Sequence, residues 1–272
     1  MTGERDAERG AAGGGVGPDT GGDSAEDERR VRRLDQTTVD RIAAGEVVTR
    51  PARVVGELVD NALDAGASRI EIAVDGDGTD RIRVADDGRG MTRADATRAV
   101  ERHATSKLAP DGDPVGVESL GFRGEALAAI AEAARLELVT GPGDGVGTRV
   151  VADGQDPTVE SAGRARGTTV VVEDLFATRP ARRESLAGAA AEFARISSLV
   201  ADYALANPSV AFTLDHDGSP TLSTPGTDRT DALLGVYDRD TASRSTTVDA
   251  SVDVEPDADP VDVGVSGVLA YP

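Results

Sequence analysis

The fold is decided by residues 57–66, which read Glu-Leu-Val-Asp-Asn-Ala-Leu-Asp-Ala-Gly. A helix turns by about 100° per residue, so Glu57, Asn61 and Asp64 fall within roughly 60° of one another. The apolar residues of the stretch form an arc beside this polar stripe, and the closing glycine is a natural helix stop. The pattern predicts one helix with an apolar face and a row of oxygen ligands next to it.

Two interpretations of the polar stripe are open at this point. A glutamate and an asparagine one helical turn apart can share a phosphate and metal site. Glu57 would then polarise a water molecule, and the amide oxygen of Asn61 would bind a hard cation such as Mg²⁺. The alternative is a solvated polar stripe on an ordinary amphipathic helix.

The charge of the chain indicates its solvent more than its partner. The 272 residues carry a formal net charge of −20, which usually argues against nucleic-acid binding. Lys107 is the only lysine, and aromatic residues make up 3% of the chain. These features predict a halophilic protein adapted to molar intracellular salt, where the screening length falls to about 3 Å.

Several classes of site are excluded by composition. The chain has no cysteine, which excludes disulfides, thiolate metal sites and cysteine nucleophiles. His103 and His216 are the only histidines, so a histidine-rich metal site is not expected. No run approaches the ~20 apolar residues of a membrane span, and no apolar signal segment begins the sequence. The sequence therefore predicts a cytoplasmic protein with no membrane contact.

Local patterns predict the order of elements. Residues 1–30 have few apolar side chains and predict a disordered, acidic, glycine-rich tail. Residues 69–75 and 81–85 alternate with period two, which predicts a β-hairpin with one buried face. Further helices are predicted from Thr92 to about residue 104, at 125–134 and at 189–206, and further strands at 136–140, 148–152, 158–162, 168–173, 210–215 and 263–269.

Glycine-rich connections lie between these elements. Residues 86–91, Asp-Asp-Gly-Arg-Gly-Met, follow the hairpin directly. The irregular stretch at 105–124 is too long for a plain connection and is typical of a functional lid. Residues 223–226, Ser-Thr-Pro-Gly, predict an interdomain linker. A Walker phosphate loop is absent, and a Rossmann site fits poorly because its glycine fingerprint is missing between strand and helix.

The spacing of three motifs resembles that of a known superfamily. Glu57-x-x-x-Asn61, Asp86-x-Gly88-x-Gly90 and Gly121-x-x-Gly124 resemble the successive motifs of the GHKL ATPases, which have the Bergerat fold. Residues 41–48, 50–52, 64–67, 102–107 and 121–127 are similar to the MutL branch of mismatch-repair proteins, and the resemblance extends from about residue 34 to residue 183.

The resemblance implies a fold and a division into domains. The fold is α+β, a two-layer α/β sandwich in which helices cover one face of a mixed, mostly antiparallel sheet. A truncated ribosomal-S5-like transducer domain is implied after it. The expected division is a tail at 1–30, an ATPase domain at 31–222, a linker at 223–230 and an incomplete second domain at 231–272.

The resemblance also implies a role for each site residue in ATP binding. Glu57 is expected to be the catalytic base that activates the attacking water, and Asn61 to hold Mg²⁺. Asp86 is expected to accept a hydrogen bond from the adenine amino group, the alternative being a turn-capping aspartate. Gly88 and Gly90 are expected to let the backbone approach the base and sugar.

The remaining expected ATP contacts come from a strand and from the lid. Thr168 is expected to complete the adenine end directly or through water, although an ordinary strand threonine is nearly as good an interpretation. A phosphate contact is expected for Lys107, with chance retention as the alternative, and His103 is expected to be structural. The expected phosphate-side residues are Thr105, Ser106, Lys107, Gly121, Phe122, Arg123 and Gly124.

The implied function is an ATP-binding, slowly ATP-hydrolysing component of DNA mismatch repair. ATP-driven pairing of two N-terminal domains would form a clamp, with duplex mismatched DNA, a MutS-type recognition protein and a second copy as partners. Arg179, Arg182 and Arg183 could contact DNA phosphates, but structural ion pairing is an equal alternative. A binding switch that hardly hydrolyses also stays open, because the family's second-domain lysine has no counterpart after Lys107. The motifs disfavour a kinase or topoisomerase.

Overall fold

The computed structural model describes most of the chain from Val48 onward. The predicted tail at 1–30 and the predicted lid at 105–124 lie outside the described residues. No helix in the described part is long and apolar enough to cross a membrane. The described residues are 48–101, 126–237, 239–254 and 261–270.

The first described helix, α1, confirms the predicted amphipathic helix. It covers Pro51–Asp64, and proline is well placed there because the first turn needs no backbone donor. Gly66 follows the helix end at φ +70°, a conformation that favours glycine. The buried face of α1 is formed by Val54, Val55, Leu58, Val59 and Ala62.

Eight strands form one sheet in the order β5-β4-β3-β6-β2-β1-β7-β8. The pair β1 and β7 is parallel, and every other neighbouring pair is antiparallel. The predicted mixed, mostly antiparallel sheet is therefore confirmed. The strands are β1 Arg69–Asp75, β2 Arg81–Asp86, β3 Arg135–Gly141, β4 Gly147–Ala152, β5 Thr158–Ala162, β6 Gly167–Glu173, β7 Ala211–His216 and β8 Ser219–Pro225.

The other described elements are six helices and a two-stranded antiparallel sheet. Thr92 caps α2, where its hydroxyl accepts a hydrogen bond from the backbone N–H of Asp95. The helices are α2 Arg93–Ala99, α3 Ala126–Ala133, α4 Pro180–Glu184, α5 Ala189–Ala206, α6 Arg229–Val236 and α7 Arg239–Ser243, and the two strands are β9 Ser245–Val254 and β10 Val261–Ala270.

The two faces of the large sheet differ in chemistry. Ile72, Val84 and Val170 are aligned across β1, β2 and β6, and all three are buried. Side chains from α1, α3 and α5 belong to the same apolar cluster. On the opposite face, residues such as Glu137 and Arg149 form ion pairs, here at 2.7 Å. Because strand side chains alternate between faces, one face packs on helices and the other carries charge.

The predicted linker at 223–226 is wrong in its local structure. Residues up to Pro225 belong to β8, which pairs with β7 along the edge of the sheet. Gly226 closes the strand at φ +72° against the backbone of Ala211, and α6 begins three residues later. The sequence signal is weak because only Leu222 and Thr224 of this edge strand are buried. The domain boundary expected nearby stays a prediction.

The acidic composition leads to a testable prediction about salt. The charge of −20 makes the folded chain repel itself, and raising KCl from about 0.1 M to about 1 M shortens the screening length from about 10 Å to about 3 Å. We expect the melting temperature to rise by about 10 °C or more over that range, measured by circular dichroism. Sucrose is the control, because it stabilises without screening charge. An unchanged melting temperature would contradict a halophilic adaptation.

Candidate functional site

The loop at residues 86–90 packs against the end of α1. The backbone N–H of Arg89 donates to the carbonyl oxygen of Ala65 at 3.0 Å. A Cβ on Gly88 would lie 2.8 Å from the Ala65 Cβ, so only glycine fits at this approach. The loop that carries Asp86 is thereby fixed beside the helix that carries Glu57 and Asn61.

Within the described part of the chain, the Asp86 carboxylate is held through its Oδ1 atom. Its Oδ1 accepts hydrogen bonds from the backbone N–H groups of Gly88 at 2.9 Å and Thr168 at 3.2 Å. Its Oδ2 makes no hydrogen bond to any residue that the structure describes. Burial raises the pKa of Asp86 above its ordinary value, while the two N–H groups and the Arg164 guanidinium act in the opposite direction. The site thus presents one oriented, partly desolvated acceptor oxygen.

Thr168 is part of a small hydroxyl network next to Asp86. Its Oγ1 lies 3.0 Å from the Oγ1 of Thr140, and both side chains are buried. The Thr140 hydroxyl also accepts a hydrogen bond from the backbone N–H of Met91 at 2.9 Å. Sequence reasoning missed Thr140. The available signal was its polar side chain at a position where β3 otherwise buries leucine.

Gly90 and Gly167 let three backbone segments meet. Gly90 has φ +65°, and a Cβ there would run into the carbonyl oxygen of Gly141. Gly167 has φ +119°, and a Cβ there would run into the carbonyl oxygen of Asp86. Gly88 and Gly90 are both closely packed within the protein. Their expected role in making room for a ligand stays a prediction.

Replacing Gly90 with Ala should lower the free energy of unfolding by about 2 kcal/mol or more, because the new methyl group meets backbone in a left-handed conformation. Urea unfolding monitored by circular dichroism measures this change. Gly145→Ala is the matched control, since a Cβ there has no atom within 4 Å. Equal stability of the two variants would contradict the packing role of Gly90.

Glu57 and Asn61 lie on α1 as predicted, and each is half-buried. The Arg53 guanidinium lies one turn before Glu57, with its Nη2 2.5 Å from Oε1. The hydroxyl of Tyr203 on α5 donates to Asp60 Oδ1 at 2.6 Å. Burial is the largest cause of the raised pKa of Tyr203, so this hydroxyl keeps its proton and stays a donor. The Tyr203 contact joins α1 to α5 and so restrains the rotation of α1, whereas the Arg53 contact lies within the helix. Sequence reasoning predicted neither contact.

The expected phosphate-side residues cannot be compared with this geometry. Thr105, Ser106, Lys107 and the stretch Gly121–Gly124, which contains Phe122 and Arg123, lie outside the described residues. Their roles stay predictions. The structure does bring together Asp86, Gly88, Gly90 and Thr168 at one end of the sheet, next to α1.

The family of this domain follows from comparison with known proteins. Residues 49–152 match the family described as Histidine kinase-, DNA gyrase B-, and HSP90-like ATPase. This range includes α1, the β1–β2 hairpin and the loop at residues 86–90. The fold and the site therefore define an ATPase domain of the GHKL class.

Similar sequences identify the branch within this class. The DNA mismatch repair protein MutL of Halobacterium salinarum is 52% identical over 248 residues, which is 89% of this chain and 37% of that protein. MutL of Sphingopyxis alaskensis is 46% identical over 244 residues, again 89% of this chain and 39% of that protein. The ATPase domain of this chain belongs to the MutL family. The chain spans less than two fifths of the length of these relatives.

Solved structures agree with this assignment. The N-terminal domain of a DNA repair protein superposes with a TM-score of 0.70 at 27% identity, covering 85% of this chain and 70% of the other. The Aquifex aeolicus MutL ATPase domain complexed with ADP gives a TM-score of 0.60 at 27% identity, covering 76% of this chain and 73% of the other.

Proposed function

We propose that this chain binds ATP and hydrolyses it slowly, as the nucleotide-dependent part of a DNA mismatch repair protein. The observation that carries the proposal is the Asp86 carboxylate, whose Oδ1 is held by two backbone N–H groups. Oδ2 can then accept a hydrogen bond from the exocyclic amino group of adenine. Guanine has a carbonyl oxygen at that position, and two acceptors facing each other would repel.

Hydrolysis is assigned to the polar stripe of α1. Glu57 would accept a proton from the attacking water and orient it towards the terminal phosphate. Its half-buried position suits a base that must be shielded from bulk water while reaching a bound one. The ion pair with Arg53, one turn earlier on the same helix, restrains the orientation of the Glu57 side chain.

Asn61 fits a magnesium site of the kind that uses substrate oxygens. The described residues contain no group of three acidic or histidine side chains that could hold a metal alone. Mg²⁺ prefers oxygen ligands and commonly takes one or two protein groups together with phosphates and water, so one amide oxygen is chemically sufficient. When bound with ATP, Mg²⁺ would neutralise charge on the phosphates.

The wider roles are proposed from family membership. They are ATP-driven pairing of two copies into a clamp, a MutS-type partner, duplex DNA, and an S5-like second domain that begins at about residue 231. Arg179 and Arg183, which could contact DNA phosphates or form structural ion pairs, both have contacts within the protein. Arg179 donates to the carbonyl oxygen of Glu132 at 3.3 Å, and Arg183 lies 3.9 Å from Asp80. These contacts favour a structural role for Arg179, whereas the exposed Arg183, whose ion pair is long, stays a candidate for contact with DNA phosphates.

Calorimetric titration with ATP and GTP in molar KCl tests the adenine contact. We expect ATP to bind at least about 30-fold more tightly than GTP, because GTP places an acceptor against Asp86. Equal affinities for the two nucleotides would overturn the assignment of Asp86.

Phosphate release separates an enzyme from a binding switch. We expect slow release from the wild-type chain, with and without duplex DNA. A chain extended through the whole second domain is the comparison, because it would restore the missing family lysine. ATP binding without any release from either chain would favour the switch and overturn the proposed hydrolysis.

A further inference from the structure

We propose that Arg164 is a positioning residue for nucleotide binding, which fixes the loop bearing Asp86 through hydrogen bonds to the backbone of Asp86 and Thr168. The inference rests on the proposed adenine contact of Asp86. Arg164 lies in the connection between β5 and β6 and is separated from Asp86 by 78 residues of chain.

One nitrogen of Arg164 bridges the two strands that meet at Asp86. Its Nη2 donates to the carbonyl oxygen of Asp86 at 2.8 Å and to that of Thr168 at 3.2 Å. Asp86 and Thr168 are opposite each other at the ends of β2 and β6. The guanidinium therefore fixes both backbone segments that orient the carboxylate, since the Thr168 N–H is one of its two donors.

Two glycines, Gly141 and Gly147, leave room for Arg164 because they have no Cβ. A Cβ on Gly147 would lie 2.8 Å from the Arg164 Cβ, and a Cβ on Gly141 would lie 2.9 Å from its carbonyl oxygen. The Arg164 Nε is buried and makes no hydrogen bond within the described part of the chain. An unpaired buried donor costs stability, so contact energy alone does not account for the placement of this partly buried side chain.

The charges that face Asp86 have opposite signs. Among the described residues, Arg164 lowers the pKa of Asp86 and Asp87 raises it, while burial raises it most. The backbone N–H groups of Gly88 and Thr168 add to the effect of Arg164. A protonated Asp86 would lose acceptor strength towards an amino group, so a change in either neighbour should shift the pH below which ATP binding fails.

Arg166 provides a matched control from the same connection. Its Nε donates to the carbonyl oxygen of Gly88 at 3.2 Å, so it also holds the loop. It differs from Arg164 because it is exposed, so that solvent screens its charge more strongly. Loss of Arg166 should weaken loop anchoring and should change the protonation of Asp86 less than loss of Arg164 does.

The test is calorimetric titration with ATP from about pH 5 to about pH 8 at fixed KCl. We expect the acidic loss of affinity to move up by about half a pH unit or more in Arg164→Gln. In Arg164→Lys, which restores the charge, affinity should be lost at the same pH as in wild type. It should move down in Asp87→Asn, which keeps an acceptor for Ser68 and Arg69. Because every protein meets the same ligand, titration of ATP itself cancels in the comparison.

The inference is overturned if Arg164→Gln and Arg166→Gln lose affinity by the same factor at every pH, or if neither changes the profile. Should Arg164→Gln fail to fold, Asp87→Asn decides alone, and a profile identical to wild type counts against the inference. Failure of the proposed function gives a different result: wild type does not bind ATP, or Asp86→Asn binds it with unchanged affinity.

Discussion

Asp86→Asn is expected to weaken ATP binding by about 100-fold or more while the protein stays folded. The asparagine oxygen can still accept the two backbone N–H groups that hold Oδ1. In that orientation its NH₂ group takes the place of Oδ2 and faces the adenine amino group. Two donors then oppose each other, and the favourable contact becomes a repulsive one.

The same substitution should leave stability equal or raise it at pH 7. Burial raises the pKa of Asp86 in the folded state, so ionising this carboxyl costs stability. That cost is absent below the ordinary pKa of an aspartate in the unfolded chain and is fully present above the raised folded value. The gain in melting temperature from Asp86→Asn should therefore shrink as the pH falls through the raised folded value, and it should be absent below about 4.

Calorimetry with ATP and thermal unfolding from about pH 3 to about pH 7 measure both effects. Asp75→Asn is a suitable control, because this carboxylate lies at the end of β1 and is paired with Arg81 at 3.8 Å on the surface. Retention of wild-type affinity in Asp86→Asn would contradict the adenine contact. A marked loss of stability would instead show that the carboxylate is a structural turn cap.

Glu57→Ala is expected to retain ATP binding and to reduce turnover by about 100-fold to 10,000-fold, the usual contribution of a general base. The change removes the carboxylate that would orient the water, and it leaves Asp86 and the loop at residues 86–90 untouched. It also releases Arg53 from its ion pair. The Arg53 side chain is more than half exposed, so water can replace the lost contact.

Phosphate release under saturating ATP, together with calorimetric binding, tests this expectation. Glu71→Ala is the matched control, because this glutamate is paired with Arg83 at 3.8 Å on the open face of the sheet. Unchanged turnover in Glu57→Ala would remove Glu57 from the mechanism. Joint loss of binding and turnover would indicate that the side chain supports α1 rather than the reaction.

Helices and strands with strong local patterns could be predicted from the sequence. The helix at Ala189–Ala206 and the hairpin of β1 and β2 follow from periodicity, because one buried face imposes a repeat on neighbouring residues. The edge strand β8 could not be predicted in this way. It buries only two side chains and contains proline and serine, which are typical of turns.

The candidate site shows the same division. Asp86 and the glycines after it are contiguous, so a motif can mark them. Thr140 and Arg164 have no such signal, because they reach the loop from β3 and from the connection between β5 and β6. Thr140 contacts Met91, which is 49 residues away in the chain, and Arg164 contacts Asp86, which is 78 residues away. Strand order decides such contacts, and strand order depends on pairing between distant segments.

Local sequence is enough to predict a helix with Glu57 and Asn61 one turn apart, followed by a strand ending in Asp86. Both are local features, set by side-chain periodicity and glycine placement. The surroundings of Asp86 depend instead on contacts between distant segments. The pairing of β6 with β2 brings the Thr168 N–H and the Arg164 guanidinium to one carboxylate. Burial strengthens the effect of both groups on Asp86, because charges and hydrogen bonds act more strongly where water is excluded.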